Sequence, residues 1–389
     1  MEACYRCRHP AGVEPTKCAC KNAVYCSTKC KTAHAKIHSK VCTVEHKKEI
    51  EVLRKKFGAE SREVAGAMTK LADLYDDQDK LEDAETAYTD AIRMYQLEKA
   101  GVCASKIAYC KYKRSKVLQQ MGKNDLALKD AEESLEMYTK HHGPQHDDVA
   151  ACMATKGQVL GAMNRYQEGL ASLEGALNMF IKLNGETHER VAEVLNSIAY
   201  VLVTNGKKKK AVQLYEKAVV IQRKTMGDSR VGISLLNLGR LYAELGDNEK
   251  AVVTLQEGLG IAKRTIGANS LVAGKFMVSM GWAYTQMKRN NAAHDILTQA
   301  LALFKRESGE DHEDVANTLY HLATCLHQMK DDCGALKCVE EAHAIYIKKR
   351  VAHQDGVEGG RLEDTSYKLT SATDKLLELK ATLQADASG

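Results

Sequence analysis

The 389-residue sequence has very little proline, few aromatic residues and no long apolar run. It contains three prolines, two of them within the first 15 residues, so helix breakers are almost absent from the rest. Because no stretch of about 18 apolar residues occurs, we expect no transmembrane helix. The beginning, MEACYRC, has no apolar core, so we expect no secretory signal. These absences favour an all-helical protein of the cytoplasm or the nucleus.

The thirteen cysteines are unevenly distributed. Seven of them lie within residues 1–42, and the other six are scattered through sequence of helical character. Clustered cysteine with histidine, without a secretory signal, indicates metal binding in a reducing compartment. Residues 1–57 hold 13 Lys and Arg against 5 Asp and Glu, a difference of +8. Such a mildly basic segment suits an acidic partner, but does not by itself indicate nucleic acid.

Paired zinc ligands are spaced along the first 42 residues. Their order is Cys4-x2-Cys7, Cys18-x-Cys20, Cys26-x3-Cys30 and His38-x3-Cys42. Eight thiolate and imidazole donors complete two four-ligand structural zinc sites, so we expect two zinc ions per chain and no open catalytic position. Two alternatives stay open: His34 or His9 replaces His38, or a single-zinc finger leaves spare cysteines.

The order of these pairs, with the step Tyr25-Cys26, resembles the MYND finger. The resemblance, not the spacing, divides the ligands between the metals. It assigns Cys4, Cys7, Cys26 and Cys30 to one zinc, and Cys18, Cys20, His38 and Cys42 to the other. The family usually has Gln and Trp where this sequence has Lys31 and Ala35, in the neighbourhood that docks proline-rich peptides. This departure weakens the prediction of peptide binding by the finger.

From residue 58 onward the sequence repeats about every 42 residues. The repeat is marked by Gly58, Gly101, Gly143, Gly185, Gly227, Gly267 and Gly309. Small residues also recur at fixed places, as in the column Ala72, Ser115, Gly157, Ala199, Gly239, Gly281 and Ala323. A period of this size indicates stacked units, and small residues let two helices of a unit cross closely. The turn between them is predicted at Gly122, Gly206, Gly246, Asp79 and Asn164.

The small-residue spacing resembles the tetratricopeptide repeat (TPR). The longer period and the Gly-x-x-His-x-x-Val-Ala junction of residues 143–150, 185–192 and 309–316 resemble its kinesin light chain version. We therefore predict an all-α fold, a TPR α-solenoid of about seven 42-residue helical hairpins behind a small two-zinc MYND finger. The predicted domains are the finger at 1–43, a linker helix at 44–57, the kinesin-light-chain-like solenoid at 58–350, and a C-terminal capping helix and tail at 351–389. Another type of α-solenoid, and a coiled-coil helix at the C-terminus, are the alternatives.

In this repeat family the first helix of each pair lines a concave face that binds partners. Its groove columns correspond here to Tyr109, Tyr112, Lys116, Gln158, Asn196, Tyr200, Arg240, Trp282 and Tyr320. Tyr, Trp, Arg and Asn are residue types that anchor peptide partners. The alternative is that some of these aromatic residues only fill the inner surface.

We expect a zinc-binding scaffold or adaptor that holds proteins or peptides and is not an enzyme. No membrane contact and no small-molecule substrate are expected, and nucleic acid is disfavoured. One alternative is a relative of the SET and MYND lysine methyltransferases, which is disfavoured because helical repeats beginning near residue 58 leave no room for a SET domain. The other is a nucleic-acid-associated cofactor with a basic finger, which predicts steep salt dependence of binding.

Overall fold

A computed structural model gives the fold of the chain. The structure describes residues 16–17, 24–25, 43–99, 101–225, 228–354 and 380–381. The eight predicted zinc ligands, Gly227 and nearly all of the predicted capping segment lie outside the described residues. The chain divides into two compact units, Met1–Pro144 (unit 1) and Gln145–Gly389 (unit 2).

The described part of unit 1 holds a short hairpin and five helices. Strands β1 (Thr16–Lys17) and β2 (Val24–Tyr25) pair antiparallel, with Thr16 opposite Tyr25. The helices are α1 (Thr43–Phe57), α2 (Arg62–Asp77), α3 (Leu81–Gln96), α4 (Ala104–Gln120) and α5 (Asn124–His142). Helix α1 packs against α2, and the pairs α2–α3 and α4–α5 are the first two repeats.

The described part of unit 2 holds five further helix pairs. Its helices are α6 (Asp147–Ala162), α7 (Tyr166–Asn184), α8 (Glu189–Thr204), α9 (Lys208–Thr225), α10 (Asp228–Glu244), α11 (Asn248–Thr265), α12 (Leu271–Gln286), α13 (Asn290–Ser308), α14 (Glu313–Gln328) and α15 (Asp332–Gln354). Each helix packs against the next. The two pairs of unit 1 and the five of unit 2 confirm the predicted seven helical hairpins. Among the described residues, no helix combines the length and apolar character needed to cross a membrane.

Each first helix of a pair ends near a residue with left-handed backbone conformation. Five of these residues were predicted from their type and have positive φ: Asp79, Gly122, Asn164, Gly206 and Gly246. In the last two repeats the same place is taken by Lys288 and Lys330, with φ of 58° and 68°. Lysine has no preference for this conformation, so the residue type did not predict these two turns.

The glycines of the small column mark where the two helices of a pair cross. A methyl group added to Gly239 would lie 2.5 Å from Leu255 Cγ, and one added to Gly157 would lie 2.6 Å from Leu173 Cγ. Both glycines stand at the same place of their repeats and meet a leucine at the same place of the second helix. The helices are therefore too close at this point for a larger residue to fit without movement.

Histidine begins three of the first helices in unit 2. His146, His188 and His312 are N-caps, and in each the imidazole Nδ1 accepts a hydrogen bond from the backbone N–H two residues later, at 3.1–3.2 Å. The preceding Gly185 and Gly309 have φ of 88°. In the Gly-x-x-His junction the glycine therefore ends one helix and the histidine caps the start of the next. The role of the histidine was not predicted.

Candidate peptide-binding face

The first helices of unit 2 form one layer. Helix α6 contacts α8, α10 contacts α12, and α12 contacts α14, whereas the second helices in the described part of the unit make no comparable contact. Helices that lie closer together line the inner side of a curved stack. We call the surface formed by α6, α8, α10, α12 and α14 the inner face of unit 2.

Amide side chains connect successive helices of the inner face. Gln158 Nε2 on α6 donates to Ser197 Oγ on α8 at 2.6 Å, and Asn196 Nδ2 on α8 donates to Ser234 Oγ on α10 at 2.7 Å. The other amide atom of Asn196, Oδ1, is buried without a hydrogen-bond partner among the described residues. The fold alone thus leaves hydrogen-bonding capacity unused at Asn196.

Two large apolar side chains stand out from adjacent helices of this face. Tyr200 on α8 is 54% exposed, and Ile233 on α10 is 69% exposed. Arg240, also on α10, is exposed and forms no ion pair within the described part of the chain. An exposed aromatic residue close in sequence register to an unpaired arginine is the composition of binding hot spots.

The predicted residues of α12 and α14 belong to one aromatic cluster. The rings of Trp282 and His321 have centroids 6.3 Å apart, and those of Tyr320 and His321 are 5.4 Å apart. Trp282 and Tyr320 are both partly buried against the core of the unit. The structure therefore brings Trp282 and Tyr320 together through His321, which lies one residue beyond the predicted groove column and was missed for that reason.

The three predicted residues of unit 1 have partners inside that unit. Tyr109 Oη donates to Asp73 Oδ1 at 3.0 Å, and Tyr88 Oη donates to the same oxygen at 2.6 Å. Burial, together with Asp73, raises the pKa of Tyr109, so its phenol stays protonated. Lys116 Nζ lies 5.9 Å from the centroid of the Tyr112 ring, a cation–π contact.

Charged residues on α4 are also paired within unit 1. Arg114 holds Asp130 through two hydrogen bonds of 2.6 and 2.9 Å, and Asp130 is only 3% exposed. Lys113 Nζ lies 3.0 Å from Asp76 Oδ2 on α2. This network was not predicted because a charged residue in a helical pattern ordinarily indicates a solvated surface, whereas Asp130 occupies a buried position of α5.

Comparison with protein families assigns both parts of the chain. Tetratricopeptide repeat models match residues 64–97, 108–168, 151–224, 230–306 and 280–348, which together are more than half of the chain. The chain belongs to the tetratricopeptide repeat family. A MYND finger model matches residues 4–42, from the first predicted zinc ligand to the last. A MYND finger is a zinc-binding domain, so the predictions of a zinc finger and of TPR repeats are confirmed.

Solved structures with this architecture are similar to the chain at low identity. A Rap protein complexed with competence and sporulation factor is 15% identical, with 88% of this chain and 86% of that chain covered and a TM-score of 0.58. The Rap conjugation gene regulator of plasmid pLS20 in complex with the Phr* peptide is 14% identical, with 83% and 76% covered and a TM-score of 0.52. Kinesin light chain TPR-like repeats from Podosopora anserina are 21% identical, with 53% and 98% covered and a TM-score of 0.46. No curated relative matches the sequence.

Proposed function

We propose that the protein is a non-catalytic scaffold or adaptor that holds a segment of a partner protein on the inner face of unit 2. The observation that carries the proposal is the exposure of Tyr200 on α8 and of Ile233 and Arg240 on the adjacent α10, where Arg240 has no ion pair among the described residues. An exposed aromatic group gains free energy when a partner covers it. The Phr* peptide complex supports the proposal because a protein of similar architecture binds a peptide.

The side chains of the inner face supply different parts of the interaction. Asn196 and Gln158 carry amides that hydrogen-bond a peptide backbone whatever its sequence. Tyr200 and Trp282 provide contact area at low cost in conformational entropy. Arg240 can form a bidentate salt bridge with an acidic side chain of the partner. None of these roles requires a reaction, and tetratricopeptide repeats and MYND fingers are typically non-catalytic interaction domains.

The proposal is tested by first capturing a partner by affinity purification of the whole chain and then mapping the bound segment. Changing Asn196→Ala and Arg240→Ala together should weaken binding roughly thirtyfold, as expected when an anchor worth about 2 kcal/mol is lost. The matched control is Gln213→Ala with Lys217→Ala, because these exposed residues carry an amide and a cation on the second helix α9. Undiminished binding by the first variant would contradict the proposal.

We also propose that the MYND finger holds two zinc ions, one bound by Cys4, Cys7, Cys26 and Cys30, the other by Cys18, Cys20, His38 and Cys42. The donor set supports this, since it supplies eight soft ligands for two closed tetrahedral sites. Elemental analysis should find about two zinc atoms per chain. A Cys26→Ser and Cys42→Ser double variant removes one ligand from each site and should lower that ratio. A ratio near one in the unmodified protein would contradict the assignment.

We also propose that the domain boundaries are those predicted from the sequence. The protein is proposed to act in the cytoplasm or the nucleus. Helix α1, from Thr43 to Phe57, begins at the proposed end of the finger and packs against α2 of the first repeat. At the other end, Lys380 Nζ lies 3.0 Å from Glu340 Oε1 on α15, which supports a segment covering the last repeat. Chelation of zinc should therefore leave the helical circular dichroism signal of the repeats intact. Loss of that signal would mean that the finger and the repeats fold as one domain.

A further inference from the structure

Four consecutive lysines span the end of the turn between α8 and α9 and the first residues of α9. We call Lys207, Lys208, Lys209 and Lys210 the lysine turn. Lys208 Nζ pairs with Glu244 Oε2 at 3.0 Å. The other three lysines are exposed, and none of them has an acidic partner in the part of the chain that the structure describes.

The neighbouring turns pair their charges locally. In the preceding repeat Arg165 bonds Glu168 at 2.7 Å, and in the following repeat Lys250 bonds Asp247 at 2.8 Å. In the turn between α12 and α13, Lys288 and Arg289 are also exposed without an acidic partner among the described residues. The lysine turn differs from these turns because it holds three such cations within four consecutive residues.

This placement also opposes helix formation. Lys208, Lys209 and Lys210 form the first turn of α9, which contains no acidic residue, whereas the first turns of α7 and α11 contain Glu168 and Glu249. The positive end of a helix dipole favours anions, so three cations there are unfavourable. Among the described residues only Lys208 has a compensating ion pair, with Glu244. A departure from a local stability rule that the fold does not fully compensate is expected at a functional site.

We propose that the lysine turn binds a short acidic segment of a partner protein. Carboxylates of such a segment would neutralise the three unpaired ammonium groups and would also be favoured by the N-terminus of α9. A short ligand fits better than a nucleic acid, because a long polyanion requires an extended basic surface. The basic surface is not extended here, because the acidic residues Glu168, Asp247 and Glu249 lie in the turns on either side.

The first experiment measures the fluorescence anisotropy of a labelled octaglutamate peptide with the full chain. Changing Lys207, Lys209 and Lys210 to Ala should weaken binding about tenfold or more, and the wild-type affinity should fall as salt is added. The matched control changes Lys288, Arg289 and Lys330 to Ala, which removes the same charge from other turns of unit 2. Equal losses of peptide affinity in both variants, or no loss of affinity in the first variant, would contradict the proposed site.

A second measurement separates binding from folding. A variant with Lys209→Glu and Lys210→Glu should lose peptide binding and show an unchanged or higher melting temperature, since anions suit the start of a helix. A lower melting temperature would mean that the lysines serve the fold, and would overturn the proposal. Tighter binding of a single-stranded RNA or of phosphatidylserine vesicles than of octaglutamate, lost on the same substitutions, would overturn the assignment to an acidic protein segment.

Discussion

The first helices of unit 1 and unit 2 share one architecture but expose different chemistry. In unit 1 Arg114 and Lys113 of α4 are paired, with Asp130 and with Asp76. In unit 2 the inner face presents amides, aromatic rings and Arg240, which has no ion pair among the described residues. Side chains whose hydrogen-bond and ion-pair partners lie inside the fold stabilise it. Side chains without such partners among the described residues are available to a partner protein.

Residues that share one repeat column can have different partners in the two units. Lys116 and Arg240 occupy the same place of their repeats, yet Lys116 lies over the ring of Tyr112 while Arg240 is exposed. Column position therefore predicts which face a side chain occupies. It does not predict whether neighbours within the fold already use that side chain.

The largest effect is expected from breaking the buried charge pair of unit 1. Changing Arg114→Ala leaves the carboxylate of Asp130 buried without its main partner, and should lower the free energy of unfolding by about 3 kcal/mol or more. Urea denaturation followed by circular dichroism measures the loss, and hydrogen exchange locates it in α4 and α5. Lys111, 3.5 Å from Asp130, limits the effect.

The matched control is Arg93→Ala, since Arg93 pairs with Glu60 and both side chains are about half exposed. Its cost should stay below about 1 kcal/mol. A combined Arg114→Met and Asp130→Leu variant should recover most of the lost stability, because it removes both charges together. If the Arg114 and Arg93 variants lose the same amount, the network of unit 1 is a surface feature and the contrast with unit 2 fails.

The helix crossings should be alike in both units, and α10 offers an internal comparison. Gly239→Ala places a methyl group against Leu255 and should cost about 1–3 kcal/mol. Gly232→Ala, in the same helix, meets nothing within 4 Å and should be neutral or stabilise the helix by up to about 1 kcal/mol. Melting temperatures of the two variants give the answer. Similar shifts for both would mean that the repeat register is wrong.

Much of the fold could be predicted because helix crossings and left-handed turns restrict residue type. Gly239 has to be small and Gly206 has to adopt positive φ, so both leave a periodic signal in the sequence. Lys288 adopts the same conformation without being glycine, asparagine or aspartate, so its turn left no signal.

The candidate site was less predictable than the fold. Tyr109 and Tyr200 both appeared as groove residues, but pairing with Asp73 depends on a contact between two repeats, which no single column shows. The lysine turn was visible in the sequence as four consecutive lysines, yet its significance emerged from the absence of acidic partners for three of them among the described residues.

Tyr200 of unit 2 and Tyr109 of unit 1 allow a direct test of the difference between the units. Tyr200→Ala should weaken partner binding by about 1–2 kcal/mol, roughly five- to thirtyfold, with little change in stability because the side chain is 54% exposed. Tyr109→Phe removes the hydrogen bond to Asp73 and should lower stability by about 0.5–1.5 kcal/mol without affecting binding. Calorimetric titration and thermal melting separate the two effects. The reverse result would place the partner on unit 1.

The smallest effect is expected at the starts of the first helices, where the units also differ. In unit 2 histidine caps α6, α8 and α14 and Ser270 caps α12, whereas in unit 1 α2 is capped by Ser61 and α4 has no side-chain cap. Changing His312→Ala removes the acceptor for the Asp314 N–H and should cost about 1 kcal/mol, while His312→Asn keeps a side-chain acceptor and should cost a few tenths. The melting temperature reports the difference, and hydrogen exchange at the first turn of α14 locates it. Because the cap acts through one acceptor atom, equal losses in the two variants would mean that His312 stabilises the junction by packing.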